Sequence, residues 1–194
     1  MVLGSRSDEA RWGNEALARP LAAVWGFAEA TLFFVVPDVA LSFLALRSRQ
    51  VALAACLWAF AGALVGGAVM YSWGRASAVT AEAAVEKVPA IDHRMIRRVR
   101  TELDEMGAGA VVLGPLKTTP YKVYAVEAGA RGVSPLAVLA ASVPSRLGRF
   151  LGSVLVVSLV ARYPLRKWSL DRQRLTLGLF WLAVYLVLML RTPG

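Results

Sequence analysis

The sequence holds one cysteine, Cys56, and one histidine, His93. A lone cysteine excludes an internal disulfide, and in an apolar stretch it reads as a small hydrophobe. One Cys and one His are too few soft ligands for a zinc site, so no metal is expected. His93 sits beside Arg94 in a charged stretch. That argues against the Ser–His pair of an intramembrane protease and against histidine-dependent lipid phosphatases. No enzyme activity, no catalytic residue and no cofactor is therefore expected. Residues 1–19 mix acids and bases and lack an apolar run, so a cleaved signal peptide is not expected there. No basic-aromatic nucleic-acid module is visible either, although the net charge is +9 and the pI about 10.4. Arginines at the ends of membrane segments account for that charge, because they set orientation and contact anionic headgroups.

Charge is also scarce along the middle of the chain. The sequence is 57% hydrophobic, with mean hydropathy +0.55, against about 45–50% apolar in soluble domains. Val51–Trp73 and Leu175–Leu190 carry no Asp, Glu, Lys or Arg. The first is long enough to cross a hydrocarbon core of about 30 Å. The second is slightly short, but Arg174 and Arg191 at its ends can snorkel. Ser134–Ala161 is apolar except for Arg146 and Arg149. The expected fold is an all-α integral membrane bundle: a polar segment 1–19, an interrupted segment 20–46, a span 51–73, an amphipathic interfacial helix 82–106, a second interrupted segment 108–132, and spans 134–161 and 175–190.

The interrupted segments are the unusual part. In 20–46, Glu29 and Pro37-Asp38 break an otherwise apolar run, which reads as a re-entrant hairpin or broken helix, or as a tilted helix with one polar face. In 108–132, Lys117-Thr118-Thr119-Pro120-Tyr121-Lys122 does the same, followed by Glu127. Each interrupted segment precedes a span with small residues four apart, Gly62 and Gly66 in one and Gly148 and Gly152 in the other, a spacing that lets helices approach closely and also suits a homo-oligomer. Paired interrupted segments in two halves of a chain point to a transport site. Within 82–106, Ile91, Met95, Ile96, Val99, Leu103 and Met106 form one face, with Arg94, Arg97, Arg98, Arg100, Glu102, Asp104 and Glu105 opposite. That pattern suits a surface helix or a solvated connector. The most basic connectors, 75–107 and 162–174, leave the orientation open.

Each ionisable group at membrane depth costs roughly 2.5–3.5 kcal/mol before pairing. Glu29 and Asp38 in the front half face Lys117, Lys122, Glu127, Arg146 and Arg149 in the back half. Ion pairing across a central cavity is the structural explanation. The functional one adds a phosphate: Lys, Arg and backbone N–H groups at a helix break are suited to hold it. Arg146 and Arg149 share a helical face, with Lys122 near them. Glu29 and Asp38, if desolvated and close, would exchange protons.

Three stretches resemble one family. Trp25-Gly-Phe-Ala-Glu29 through Val-Pro37-Asp38 looks like the first motif of the DedA superfamily (SNARE-associated, VTT-domain membrane proteins). Gly66-Gly67-Ala-Val-Met-Tyr71-Ser-Trp-Gly74-Arg75 resembles the end of its next helix. Thr119-Pro120-Tyr121-Lys122 through Ala128-Gly129, followed by Ser145-Arg146-Leu-Gly-Arg149-Phe150, is similar to the YqaA branch. Better-known bacterial members carry two arginines in the second hairpin motif, where this chain has Lys117 and Lys122 at shifted spacing, and lysine lacks the bidentate fork. The resemblance covers roughly residues 20–160. It implies two facing re-entrant hairpins in pseudo-repeated halves, a multi-pass protein of the bacterial inner membrane, and flippase- or scramblase-like movement of a phosphate-bearing lipid such as undecaprenyl phosphate or a phospholipid. By motif position Glu29, Asp38, Lys122, Arg146 and Arg149 inherit that role, and together with Lys117 they are the candidate residues for substrate contact or proton coupling. A proton- or sodium-coupled transporter of a small solute and a non-transporting assembly protein are the other readings.

Overall fold

The computed structural model describes residues 6–117 and 119–191; the start of the polar segment and Thr118 of the threonine pair lie outside the described residues. Ten α-helices are described, with no strand among them. Three helical stretches are long and apolar enough to cross a membrane: Arg49–Ala76, Pro135–Arg162 and Leu170–Leu190. By that measure the chain has the make-up of an integral membrane protein.

Helix α1 (Arg6–Ala30) runs unbroken through Pro20, so the polar segment and the start of the apolar one belong to a single element. Pro20 lies inside the helix; α1 forgoes one backbone hydrogen bond there and continues. The chain then leaves helical geometry over 31–37. Pro37 ends the break, and α2 (Asp38–Arg47) follows. One residue, Ser48, separates α2 from α3 (Arg49–Ala76) and caps it by accepting from Val51 N.

Helix α3 is the axis of the molecule, about 42 Å long at 1.5 Å per residue. Its glycines are contact points. A Cβ at Gly62 would overlap the Ala23 carbonyl, one at Gly66 would crowd Phe27 and Ala30, and one at Gly26 would overlap the Ala59 carbonyl. Residue numbers rise together along both helices, so α1 lies parallel to α3. Further on, Gly67 meets the Tyr121 ring and Gly74 the Val126 carbonyl, while Gly129 sits between the Tyr71 carbonyl and Arg75 N, so α7 (Tyr121–Ala130) runs parallel to the last third of α3. Gly148 and Gly152 differ from the front pair: a Cβ on either meets nothing within 4 Å. Within the chain they make no close helix approach, because that face of their helix points away from α3.

The region 82–106 is not one helix. It divides into the end of α4 (Ala78–Val85), a turn in which Ala90 takes φ +68°, and α5 (His93–Met106), capped by Asp92 accepting from Met95 N at 2.7 Å. Ile96, Val99 and Leu103 of α5 are buried with Val123, Tyr124 and Val126 of α7 in a single apolar cluster. Glu102, read from sequence as part of the exposed polar face, is buried on this apolar one.

After α6 (Gly109–Leu113) and a 3₁₀ turn (Gly114–Lys117), α7 returns alongside α3. The long back-half helix is α8 (Pro135–Ser142), a π-helical turn (Val143–Leu147) and α9 (Gly148–Arg162). Pro144 stands inside the π turn, where its missing N–H and ring displace the regular ladder. Helix α10 (Leu170–Arg191) closes the described chain. Leu175, Leu179, Phe180, Leu182, Val184, Leu186, Val187 and Leu190 are all exposed along it. A helix this apolar and this exposed has the make-up of a membrane span.

Two ends follow from these directions. The proximal end holds the start of α3, the end of α9 and the start of α10. The distal end holds α4, α5 and the start of α8. The basic connectors 75–107 and 162–174 therefore lie at opposite ends.

Candidate functional site

The break at 31–37 exposes backbone polar groups that regular helix would have paired. Three of them find a specific side chain, as buried backbone requires. Trp25 Nε1 donates to the Val35 carbonyl at 2.8 Å, and Val36 N donates to the Tyr185 hydroxyl at 2.9 Å. Lys122 Nζ donates to the Phe33 carbonyl at 2.7 Å. The last of these joins the tip of the front interrupted segment to the first turn of α7, across 89 residues of sequence.

The π turn does the corresponding work in the back half. It turns Ser145 and Arg146 inward, where both are buried. Arg146 forms a two-pronged ion pair with Glu29, through Nη1 to Oε1 at 3.2 Å and Nη2 to Oε2. Its guanidinium also lies over the Tyr121 ring at 4.8 Å and the Phe150 ring at 5.2 Å. Arg149, one turn on, pairs with Asp38 at 3.1 Å and also lies over the Phe150 ring at 5.2 Å. Glu29, Asp38, Lys122 and Arg146 are all at most 4% exposed. Glu29, Asp38, Lys122, Arg146 and Arg149 thus meet at one place between the two interrupted segments. The two carboxylates are each matched to an arginine rather than to one another.

The hydrogen bonding at this site is incomplete. Arg146 Nε, Arg149 Nε and Nη2, Asp38 Oδ2 and the Ser145 hydroxyl are buried without a hydrogen-bond partner among the described residues. The Asp38–Arg149 contact is close but misaligned for a hydrogen bond. Four donors and one acceptor left open on neighbouring residues are unusual, since buried polar groups are nearly always satisfied. A small cavity is lined by Ser145, Arg146 and Arg149 together with Thr119, Tyr121 and Tyr124; its volume is about 10 Å³, room for roughly one water. The site is closed to anything larger in this state.

No family model, curated protein or solved structure matches the chain. The site is therefore read from its own chemistry.

Lys117 stands apart from the cluster. It lies in the 3₁₀ turn and pairs with Glu102 at 2.7 Å, so the sequence reading that grouped it with the central cations is corrected. Glu102 also accepts from the Tyr124 hydroxyl at 2.6 Å. Burial pushes the Glu102 carboxyl up, but the bonds from Lys117 and Tyr124 and the charges of Lys117 and Arg98 outweigh it, and its pKa falls below the ordinary value. Glu127 is likewise outside the cluster: Arg100 bridges it at 2.9 Å to Glu82. These contacts tie α5 and α4 to α7. His93 is exposed and pairs with Glu86 far from the buried site, and Cys56 packs among alanines and Phe150.

Several residues around the site have no role assigned from sequence, although Tyr121, Ser145 and Phe150 stand in the motifs quoted above. Tyr121 donates to the Ser142 hydroxyl at 2.8 Å, which in turn donates to the Val138 carbonyl at 2.7 Å. Ser145, Phe150 and Tyr185 complete the surround. One signal pointed there: Pro144 in the middle of an apolar helix, directly before Ser145-Arg146.

Proposed function

We propose that the chain is a membrane lipid transporter of flippase or scramblase type, acting on a phosphate-bearing lipid. The observation that carries this reading is the buried junction of two carboxylates and three cations at the meeting point of two helix breaks, with arginine nitrogens left open. In this reading α1–α2 enters and leaves from the proximal end, and α6–α7 from the distal end, as two opposed re-entrant hairpins in related halves. The DedA resemblance, and its YqaA branch, supplies the same arrangement independently, with a multi-pass protein of the bacterial inner membrane. An arginine fork holds a phosphate as well as it holds a carboxylate. A headgroup that separates the hairpins exchanges for Glu29 and Asp38 as the partner of Arg146 and Arg149, so the buried cations are never left unpaired. Protonation of a carboxylate would loosen its hold on the arginine and favour that exchange.

The test is translocation of a fluorescent phosphate-bearing lipid by purified protein in liposomes. Wild type is expected to translocate it, and Glu29→Gln or Arg146→Ala to slow it at least about tenfold, the equivalent of one lost charge-assisted bond. Translocation that survives both changes counts against the site. Uptake of a labelled small solute without lipid movement would favour a coupled solute transporter on the same residues, and neither activity would leave an assembly protein.

A further inference from the structure

A second polar site lies at the proximal end, away from the buried cluster. A pocket of about 360 Å³ opens between the ends of α2, α3, α9 and α10. Arg49, Arg162 and Ser158 line it, together with Tyr163 and Gln173. A neighbouring hollow of about 490 Å³ shares Arg162 and Tyr163 and adds Arg166. No acidic residue lines either. The Ser158 hydroxyl is buried with no hydrogen-bond partner among the described residues. Gln173 is not a free donor: its amide bonds the carbonyls of Leu165 at 3.0 Å and Trp168 at 3.3 Å, so it fixes the loop that carries Arg166.

Charge and shape narrow the occupant. The ends of α2, α3, α9 and α10, with the connector 162–174, carry Arg47, Arg49, Arg162, Arg166, Lys167, Arg172 and Arg174 against one acid, Asp171, which is held by Arg174. At the distal end Arg75, Lys87, Arg94, Arg97, Arg98 and Arg100 of the connector are matched by Glu82, Glu86, Asp92, Glu102, Asp104 and Glu105. The four helix ends that form the pocket thus carry an excess of positive charge. The floor of the pocket is apolar, formed by Leu46, Leu155 and Leu159, and continues onto the exposed Val156 and Val160 of α9. A polar mouth above an apolar wall fits an amphiphile with an anionic head, and the volume falls in the range of small-molecule pockets.

We infer that this pocket binds the phosphate headgroup of an anionic lipid, with Arg49 and Arg162 as the charge contacts, Ser158 as a neutral donor, and the acyl chains along α9. The site is separate from the buried cluster and does not depend on transport. A short-chain phosphatidic acid titrated into the purified chain in neutral detergent is expected to bind saturably. Arg49→Gln with Arg162→Gln should weaken it at least about tenfold, whereas Arg49→Lys with Arg162→Lys should keep most of the affinity. Melting temperature reports on folding, since both arginines are exposed. Glu29→Gln should leave binding unchanged even where it stops translocation, which separates this site from the other. Binding that is non-saturable, or equal for a neutral phosphocholine lipid, would mean ordinary annular contact and overturns the proposal. Binding untouched by the double glutamine change overturns it too. Competition by inorganic phosphate at the lipid's own affinity would assign the site to a free anion and overturn the lipid source.

Discussion

Arg146→Ala strands Glu29 in a buried site, and breaking a buried pair costs about 3–5 kcal/mol. It also removes the cation from over Tyr121 and Phe150. Replacing both partners by apolar residues, Glu29→Leu with Arg146→Met, leaves neither member of the pair stranded, with Lys122 still bonded to the Phe33 carbonyl, and is expected to recover most of that loss. Thermal unfolding of the single and paired variants in detergent checks this; a paired variant no more stable than Arg146→Ala would contradict the account. Glu102 gives a pH prediction. Its pKa is lowered on folding, so its contribution to stability is present above the ordinary value of 4.5 and is lost as pH falls through the lower folded value. The melting gap between wild type and Glu102→Gln should be widest above pH 4.5 and should close below it. The charges at Glu29, Asp38, Lys122, Arg146 and Arg149 were legible in the sequence because each stands in an apolar run, where solvation penalises it unless something answers it. Lys117 and Glu102 were misplaced because spacing does not say which face a short turn presents, nor that a tyrosine hydroxyl waits on the buried side.

At the scale of elements, the glycines of α3 separate close packing from mere small size. Gly62→Ala places a methyl on the Ala23 carbonyl and is expected to cost about 1–3 kcal/mol through backbone displacement. Gly148→Ala meets open space and should be neutral, or slightly stabilising through helix propensity. Melting temperatures of the two variants test this directly, and equal loss from both would contradict the packing described. The Gly-x-x-x-Gly spacing marked both pairs alike, because spacing shows that an approach is sterically possible and not which helix makes it. The break at Pro37 was readable; continuity through Pro20 was not, since a proline's cost can be absorbed wherever the rest of the helix is well packed. The π turn at Val143–Leu147 escaped notice for a related reason: Pro144 was visible, but its effect on where Arg146 points emerges only in three dimensions.

For the whole molecule, the all-helical architecture and the three long apolar helices follow from composition and run length. The meeting of the two interrupted segments does not, because contacts across more than 100 residues, such as Glu29 with Arg146, leave no periodic trace. That meeting makes the molecule either a pinned bundle or a gated one. The central claim is that the ion pairs are exchanged for a lipid phosphate rather than serving only to hold the bundle. The most direct measurement is the rate at which liposomes bearing the paired Glu29→Leu, Arg146→Met variant translocate a labelled phosphate-bearing lipid. The expected result is a variant that melts near the wild-type temperature and translocates no faster than protein-free liposomes. Translocation at the wild-type rate from a variant with no charge at either position would contradict it.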